Sequence, residues 1–166
     1  MNAPGHFDFY TAILFFHILS AIVAFGATFA YPLIDAVTRR VDVRALPTWD
    51  EVRRQIGLRI ITPAAIVLLG TGIYMAADRW KDAGSGWFTA AGIIVIVLLG
   101  LGHGVLSPTA RKMRDQGRAD VEAGTMRDGR LSEAYEALAK REMIFGLLAT
   151  LLVVVALFLM VLKPGA

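Results

Sequence analysis

Residues 143–162 read MIFGLLATLLVVVALFLMVL, twenty residues without a charge. Wound as a helix at about 1.5 Å per residue, such a run is ~30 Å long, which matches the hydrocarbon core of a bilayer. Working back toward the N-terminus, three further apolar stretches are long enough to cross: about 10–34, 60–77 and 87–107. The first reads as a true span and not as a cleavable signal, because residues 1–9 carry no Lys or Arg and the apolar run continues past Tyr31 and Pro32. The expectation is an all-α chain, a four-transmembrane-helix bundle that forms one integral membrane domain over residues 1–166.

Composition points the same way. Of the 166 residues, 56% are apolar, and the mean hydropathy of +0.58 lies beyond the soluble globular range. There is no cysteine, which excludes disulfides, thiolate metal sites and cysteine nucleophiles and leaves the three histidines as the main candidate ligands. The formal charge of +3 is unevenly placed. Six Lys or Arg lie between spans 1 and 2, eight between spans 3 and 4, and only Arg79, Lys81 and Lys163 elsewhere. By the positive-inside rule both basic loops face the cytoplasm, giving an N-out/C-out topology in a bacterial inner membrane. The same loops hold 11 of the 14 acids, so that face is mixed in sign and is no surface for nucleic acid. The bilayer is the expected partner, and a homo-oligomer or a larger membrane complex remains open.

The inner loops themselves read as helical extensions of the spans. Thr48 is placed to cap the amide of Glu51, with the Glu51 carboxylate reaching back. Pro63, early in span 2, removes an amide donor from the Arg59 carbonyl and predicts a kink. Gly117 to Gly129 is polar and glycine-punctuated and predicts a mobile connection. Ser132 offers a cap for a helix over Glu133 to Arg141 that runs on into span 4. Asp35 and Arg59 are expected to pair at the membrane edge, and Trp80 and Trp87 to anchor the outer turn. No internal repeat stands out.

In span 1, His17, Ser20, Ala21, Ala24, Thr28 and Tyr31 fall on one small, polar face, which should turn into the bundle because polar groups find no partner in lipid. An ionisable residue inside a span is a functional candidate by default, and neutral imidazole is a common ligand of haem iron and copper. The alternative is a structural histidine bonded to a neighbouring carbonyl or hydroxyl. In span 3, Gly100, His103, Gly104 and Ser107 share a face, either leaving room beside His103 for a flat group or simply seaming two helices together. Counting ~1.5 Å per residue separates the two histidines by about 10 Å in depth, so one shared iron is not favoured. Met75 comes to the depth of His17 and is a candidate second haem ligand, or plain packing. His6 reads as part of an exposed terminus. The expected pocket lining is Ser20, Ala24, Thr28, Gly100 and Gly104. Nothing resembles a phosphate loop, a hydrolytic triad or paired carboxylates within the spans.

The elements Phe16-His17-Ile18, Arg59-Ile60-Ile61-Thr62-Pro63-Ala64, Gly86-Trp87, His103 and Val161-Leu162-Lys163-Pro164 together resemble a group of small bacterial four-helix membrane proteins. The group includes the HemJ-type protoporphyrinogen oxidases, the CopD copper-resistance domain and related uncharacterised families. The resemblance implies a haem b at the span 1 histidine, here His17, within a bundle that acts on porphyrin or passes electrons. The HemJ pattern has a His and a Lys just after the Trp that opens span 3, where this chain reads Trp87-Phe88-Thr89-Ala90-Ala91-Gly92. With that lysine absent, oxidase activity is not carried over. Three functions follow as expectations: a haem b protein in electron transfer or haem/porphyrin handling, a copper or small-solute transport protein, and a non-catalytic scaffold or accessory subunit.

Overall fold

The computed structural model describes residues 8–79, 86–126 and 129–164; His6, Trp80 and Lys81 lie outside the described residues. Four helices are long and apolar enough to cross a membrane: α1 (Phe9–Val41), α2 (Val43–Asp78), α3 (Gly86–Ala123) and α4 (Glu133–Leu162). Each is longer than the span expected of it, because the polar ends of the helices continue as helix beyond the apolar runs. The bundle thus has an apolar half and a polar half. The outward faces of the apolar half carry Phe15, Phe16, Ile66, Ile96, Leu147 and Phe158, all more than half exposed. That is the surface lipid would cover, since soluble monomers do not expose apolar area on this scale.

In the apolar half α1 packs along α2 and α3 along α4, while the α2–α3 contact is slighter and α1 and α4 are barely in touch. In the polar half the first turns of α2 pack against the end of α3, and α3 against the start of α4. A small soluble-type core holds that half together: Leu46, Met113, Leu131 and Tyr135 are buried, with Val121 and Leu138 against them.

Prolines set the irregularities within the helices. Pro32 has no amide to offer the Thr28 carbonyl, and the Tyr31 amide takes it instead, tightening Gly26–Ala30 into a 3₁₀ turn. Pro63 and Pro108 have the opposite effect. Each follows a π-helical segment, Gly57–Ile61 in α2 and Gly102–Leu106 in α3, in which the next residue's amide reaches back five positions to the glycine carbonyl. Both segments obey one pattern, Gly, four residues, Thr or Ser, then Pro: Gly57 to Thr62-Pro63 and Gly102 to Ser107-Pro108. The kink expected from Pro63 is thus taken up by an added residue in the turn before it, and the pattern recurs where no repeat was expected.

Three local expectations are corrected. The α-helical part of α2 starts at Leu46, before Thr48, with Pro47 in its first turn; the side-chain cap lies earlier still, where Asp42 accepts from the Arg44 amide at the head of a 3₁₀ turn. Glu51 is held instead by Arg54, Gln55 and Arg114. Asp35 pairs with Arg39 at 2.8 Å and not with Arg59, because residues four apart on one helix face need no second element to meet. Residues 117–123 are helix and not a connection: α3 runs on to Ala123 and ends at Gly124, which takes the left-handed φ of 66°, while Arg127 and Asp128 lie outside the described residues. Gly117 is needed for close packing rather than for freedom. A Cβ there would lie 2.8 Å from Pro47 Cγ and 3.2 Å from Tyr135 Cε2. The Ser132 cap is present, accepting from the Tyr135 amide.

Candidate functional site

Because α1 and α4 separate in the apolar half, a cavity of about 420 Å³ opens between them, walled behind by α2 and α3. Its volume lies in the ordinary range for small-molecule and cofactor sites, about 300–1,000 Å³. His17 is the polar residue of a lining that is otherwise Ile, Leu, Val, Ala, Gly, Phe and Met. From His17 the wall runs along α1 to Phe29, twelve positions or ~18 Å of helix.

The imidazole is oriented from α2. His17 Nδ1 lies 3.0 Å from Thr71 Oγ1, and that hydroxyl lies 2.8 Å from the Val67 carbonyl of its own helix. A hydroxyl has one proton; directed at the carbonyl, it leaves a lone pair that accepts from Nδ1–H. In that arrangement the ring carries its proton on Nδ1 and its lone pair on Nε2. Gly72, next along α2, makes the approach possible, since a Cβ there would stand 3.2 Å from His17 Cε1.

His103 is held by the same device. Its Nε2 lies 3.1 Å from Thr62 Oγ1, which donates at 2.8 Å to the Gly57 carbonyl inside the π-helical segment of α2. The two threonines are nine positions apart on α2, or ~13 Å by helical rise. The structure therefore brings His17 and His103 to the same neighbour helix but not to each other, and His103 is not part of the cavity wall. Met75 is buried and also off the wall, whereas Met160 of α4 is on it. Ser20 and Ala24 are buried between helices, Thr28 donates to the Phe25 carbonyl, and Gly100 and Gly104 have open space where a Cβ would be. The wall of α1 is made instead by Ile18, Ala21, Ile22 and Phe25. Among the described residues no group of three or more His, Asp or Glu is arranged to hold a metal ion.

A second polar assembly lies in the other half, where α1, α2 and α4 meet. Asp50 is fully buried, its Oδ2 accepting from Tyr135 Oη at 2.8 Å and its Oδ1 from Arg53 Nη2 at 2.9 Å. Glu142, one residue before the apolar run of α4, faces the same guanidinium at 3.5 Å. Arg39 joins Asp35 to Glu136 across α1 and α4 and stacks over the Tyr135 ring. Burial pushes Asp50 up to about 6 against the pull of Arg53 and Tyr135, and pushes Glu142 up to about 7 against Arg53. Burial, and then the Asp50 charge, raises the Tyr135 phenol. Outside this assembly Glu51 is held well below the usual carboxylate range by its hydrogen bonds to Arg54, Gln55 and Arg114.

A family model described as predicted integral membrane protein (DUF2269) matches residues 11–164. The chain belongs to that family. The match runs from the start of α1 to just past α4, so family membership covers both halves of the bundle and both polar assemblies. No curated protein and no solved structure matches the chain.

Thr71, Gly72 and Met160 were not singled out from the sequence, and neither were Asp50, Arg53 and Glu142. Thr71 and Met160 sit in apolar runs, where one hydroxyl or one thioether carries no pattern. Glu142 did leave a trace: an acid immediately before twenty apolar residues stands where burial at a membrane edge is hard to avoid.

Proposed function

We propose that this integral membrane protein binds a haem b in the cavity between α1 and α4, with His17 Nε2 as an axial ligand, and serves electron transfer or haem handling. The observation that carries the reading is the Thr71 hydrogen bond to Nδ1. Ligating histidines characteristically donate their second nitrogen to a fixed acceptor, which sets the tautomer and raises the basicity of the other nitrogen. Met160, on the same wall, is the residue whose thioether would help hold the group, in place of His103 or Met75. When bound, the iron would supply reversible one-electron chemistry, and the chain's part is to ligate it, hold the ring and keep water from it. The cavity wall offers no cation to the two propionates, which have to extend out of the open seam. The sequence elements that resemble the HemJ and CopD group imply the same ligand, and a copper path rests on that resemblance alone. The excess of Lys and Arg in the polar half supports a cytoplasmic placement of that half, in a bacterial inner membrane with both termini outside.

The test is the absorption spectrum of gently purified protein. A Soret band is expected in the wild type and is expected to be lost in His17→Ala. Thr71→Val should keep the band but weaken haem retention about 10-fold or more, the usual effect of removing an orienting partner. A colourless wild type, or a band indifferent to His17, ends the proposal. The length of the seam favours a second reading: an isoprenoid or acyl chain lying along α1, with a hydroxyl donating to Nε2. Colourless protein from which organic solvent extracts a stoichiometric lipid would support it.

A further inference from the structure

The Asp50, Arg53 and Glu142 assembly takes no part in the proposed cofactor site, and its bonding is unequal. Asp50 has both oxygens occupied, one by a phenol and one by a guanidinium at 2.9 Å. Glu142 has neither well served. Its Oε1 is 3.5 Å from the same Arg53 Nη2, and its Oε2 is buried with no partner, although the side chain is only 9% exposed. Three more buried polar atoms nearby lack partners: Tyr31 Oη, Trp49 Nε1 and Arg53 Nε. The Tyr31 and Trp49 rings meet edge to face at 5.6 Å, and Trp49 and Arg53 are four positions apart on one face of α2.

One guanidinium cannot neutralise two buried carboxylates. An ionised carboxylate with an unpaired oxygen in such a place costs several kcal/mol of lost hydration, and buried groups avoid that cost by taking up a proton. Of the charges around the pair, the acids add to this and the arginines offset it. From α1 come Asp35 and Arg39, from α2 Asp50 and Arg53, and from α4 Glu136, while α3 contributes the uncharged Met113 sulfur at 3.9 Å from Arg53 Nη2. Four acids thus face two arginines. Asp50, doubly bonded, is the better anion, and Glu142 is the group left to be neutral.

We propose that Glu142, whose Oε2 is buried without a partner beside a guanidinium already engaged by Asp50, is a proton-binding site at the boundary between the polar and apolar halves that exchanges its proton with water. The proton is taken from water onto the carboxylate and returned to water when the site empties; no other bond changes. In the loaded state Arg53 serves Asp50 alone, and α2 is tied to α4 through Asp50 and Tyr135. In the emptied state Glu142 competes with Asp50 for the one guanidinium, which loosens that tie. The inference does not depend on what fills the cavity, because none of these residues lines it.

Infrared difference spectroscopy on the full chain in lipid nanodiscs, stepped through the neutral range, reads the site directly. The wild type should show the carbonyl band of a protonated carboxylic acid, lost as pH rises with a midpoint near 7. Glu142→Gln, which keeps the shape of the loaded state, should lack that band. Thermal unfolding supplies the second readout. The folded chain keeps the proton at pH values where the unfolded chain has released it, so wild-type stability should fall as pH rises from the ordinary glutamate range to about 7 and be level above. In Glu142→Gln that fall should shrink, leaving only the part that ends near 6 with Asp50. A wild type without a protonated carboxyl near neutrality, or a band that survives Glu142→Gln with its midpoint unchanged, overturns the proposal. So does a fall in stability near 7 that is identical in the two proteins.

Discussion

Gly117→Ala sets two effects of known sign against each other. Gly117 lies in the interior of α3 with ordinary helical backbone, where glycine is about 1 kcal/mol worse than alanine, so on propensity alone the substitution stabilises. The structure says otherwise. The added Cβ would stand 2.8 Å from Pro47 Cγ and 3.2 and 3.3 Å from two carbons of the Tyr135 ring. Neither neighbour yields easily. Pro47 is a ring closed on its own backbone in the first turn of its helix, and Tyr135 is fully buried with its hydroxyl fixed on Asp50. Inserting a methyl into such packing costs typically 1–3 kcal/mol. Against a propensity gain of about 1 kcal/mol, the net expectation is a loss of about 1 kcal/mol and a lowered melting temperature. The assay is thermal unfolding in mild detergent followed by circular dichroism, with Gly100→Ala as the control. Gly100 also lies within helix but has open space at its Cβ, so the control should be neutral or stabilised. If Gly117→Ala is as stable as its control, the close seam between α2, α3 and α4 is wrong, and Gly117 belongs to a loose connection after all.

Gly72→Ala would place a Cβ 3.2 Å from His17 Cε1. It should displace the ring from Thr71 and reduce ligand retention without unfolding the bundle; unchanged retention with unchanged spectra counts against Thr71 as the orienting group. Arg53→Met removes the one guanidinium between Asp50 and Glu142 and, as with other buried pairs that lose a partner, should destabilise by about 3–5 kcal/mol. Part of that loss should be recovered in mild acid, where both carboxyls are neutral, and a pH-independent loss would show that packing and not charge is responsible.

The sequence by itself determined the class, the number of spans and their order, because an apolar run the length of a bilayer has no other economical use. It also determined the Ser132 cap, which depends only on neighbours in the chain. The Gly, four residues, Thr or Ser, then Pro pattern was equally legible and went unread, since two short motifs on helices of different hydropathy do not announce themselves as a pair. His17 was legible as a polar group inside a span, but its state was not. Which nitrogen is free depends on Thr71, 54 positions away, and on where that hydroxyl sends its own proton. The same holds for the polar half. Asp50 and Arg53 look like an ordinary surface pair at i and i+3, and Glu142 like one charge among many, until the helices close and leave two acids to one arginine. Local patterns specify which segments become helix and which face is apolar. Only packing decides how far apart α1 and α4 stand, and therefore whether a cavity exists, which ring nitrogen is free and which carboxyl has no partner.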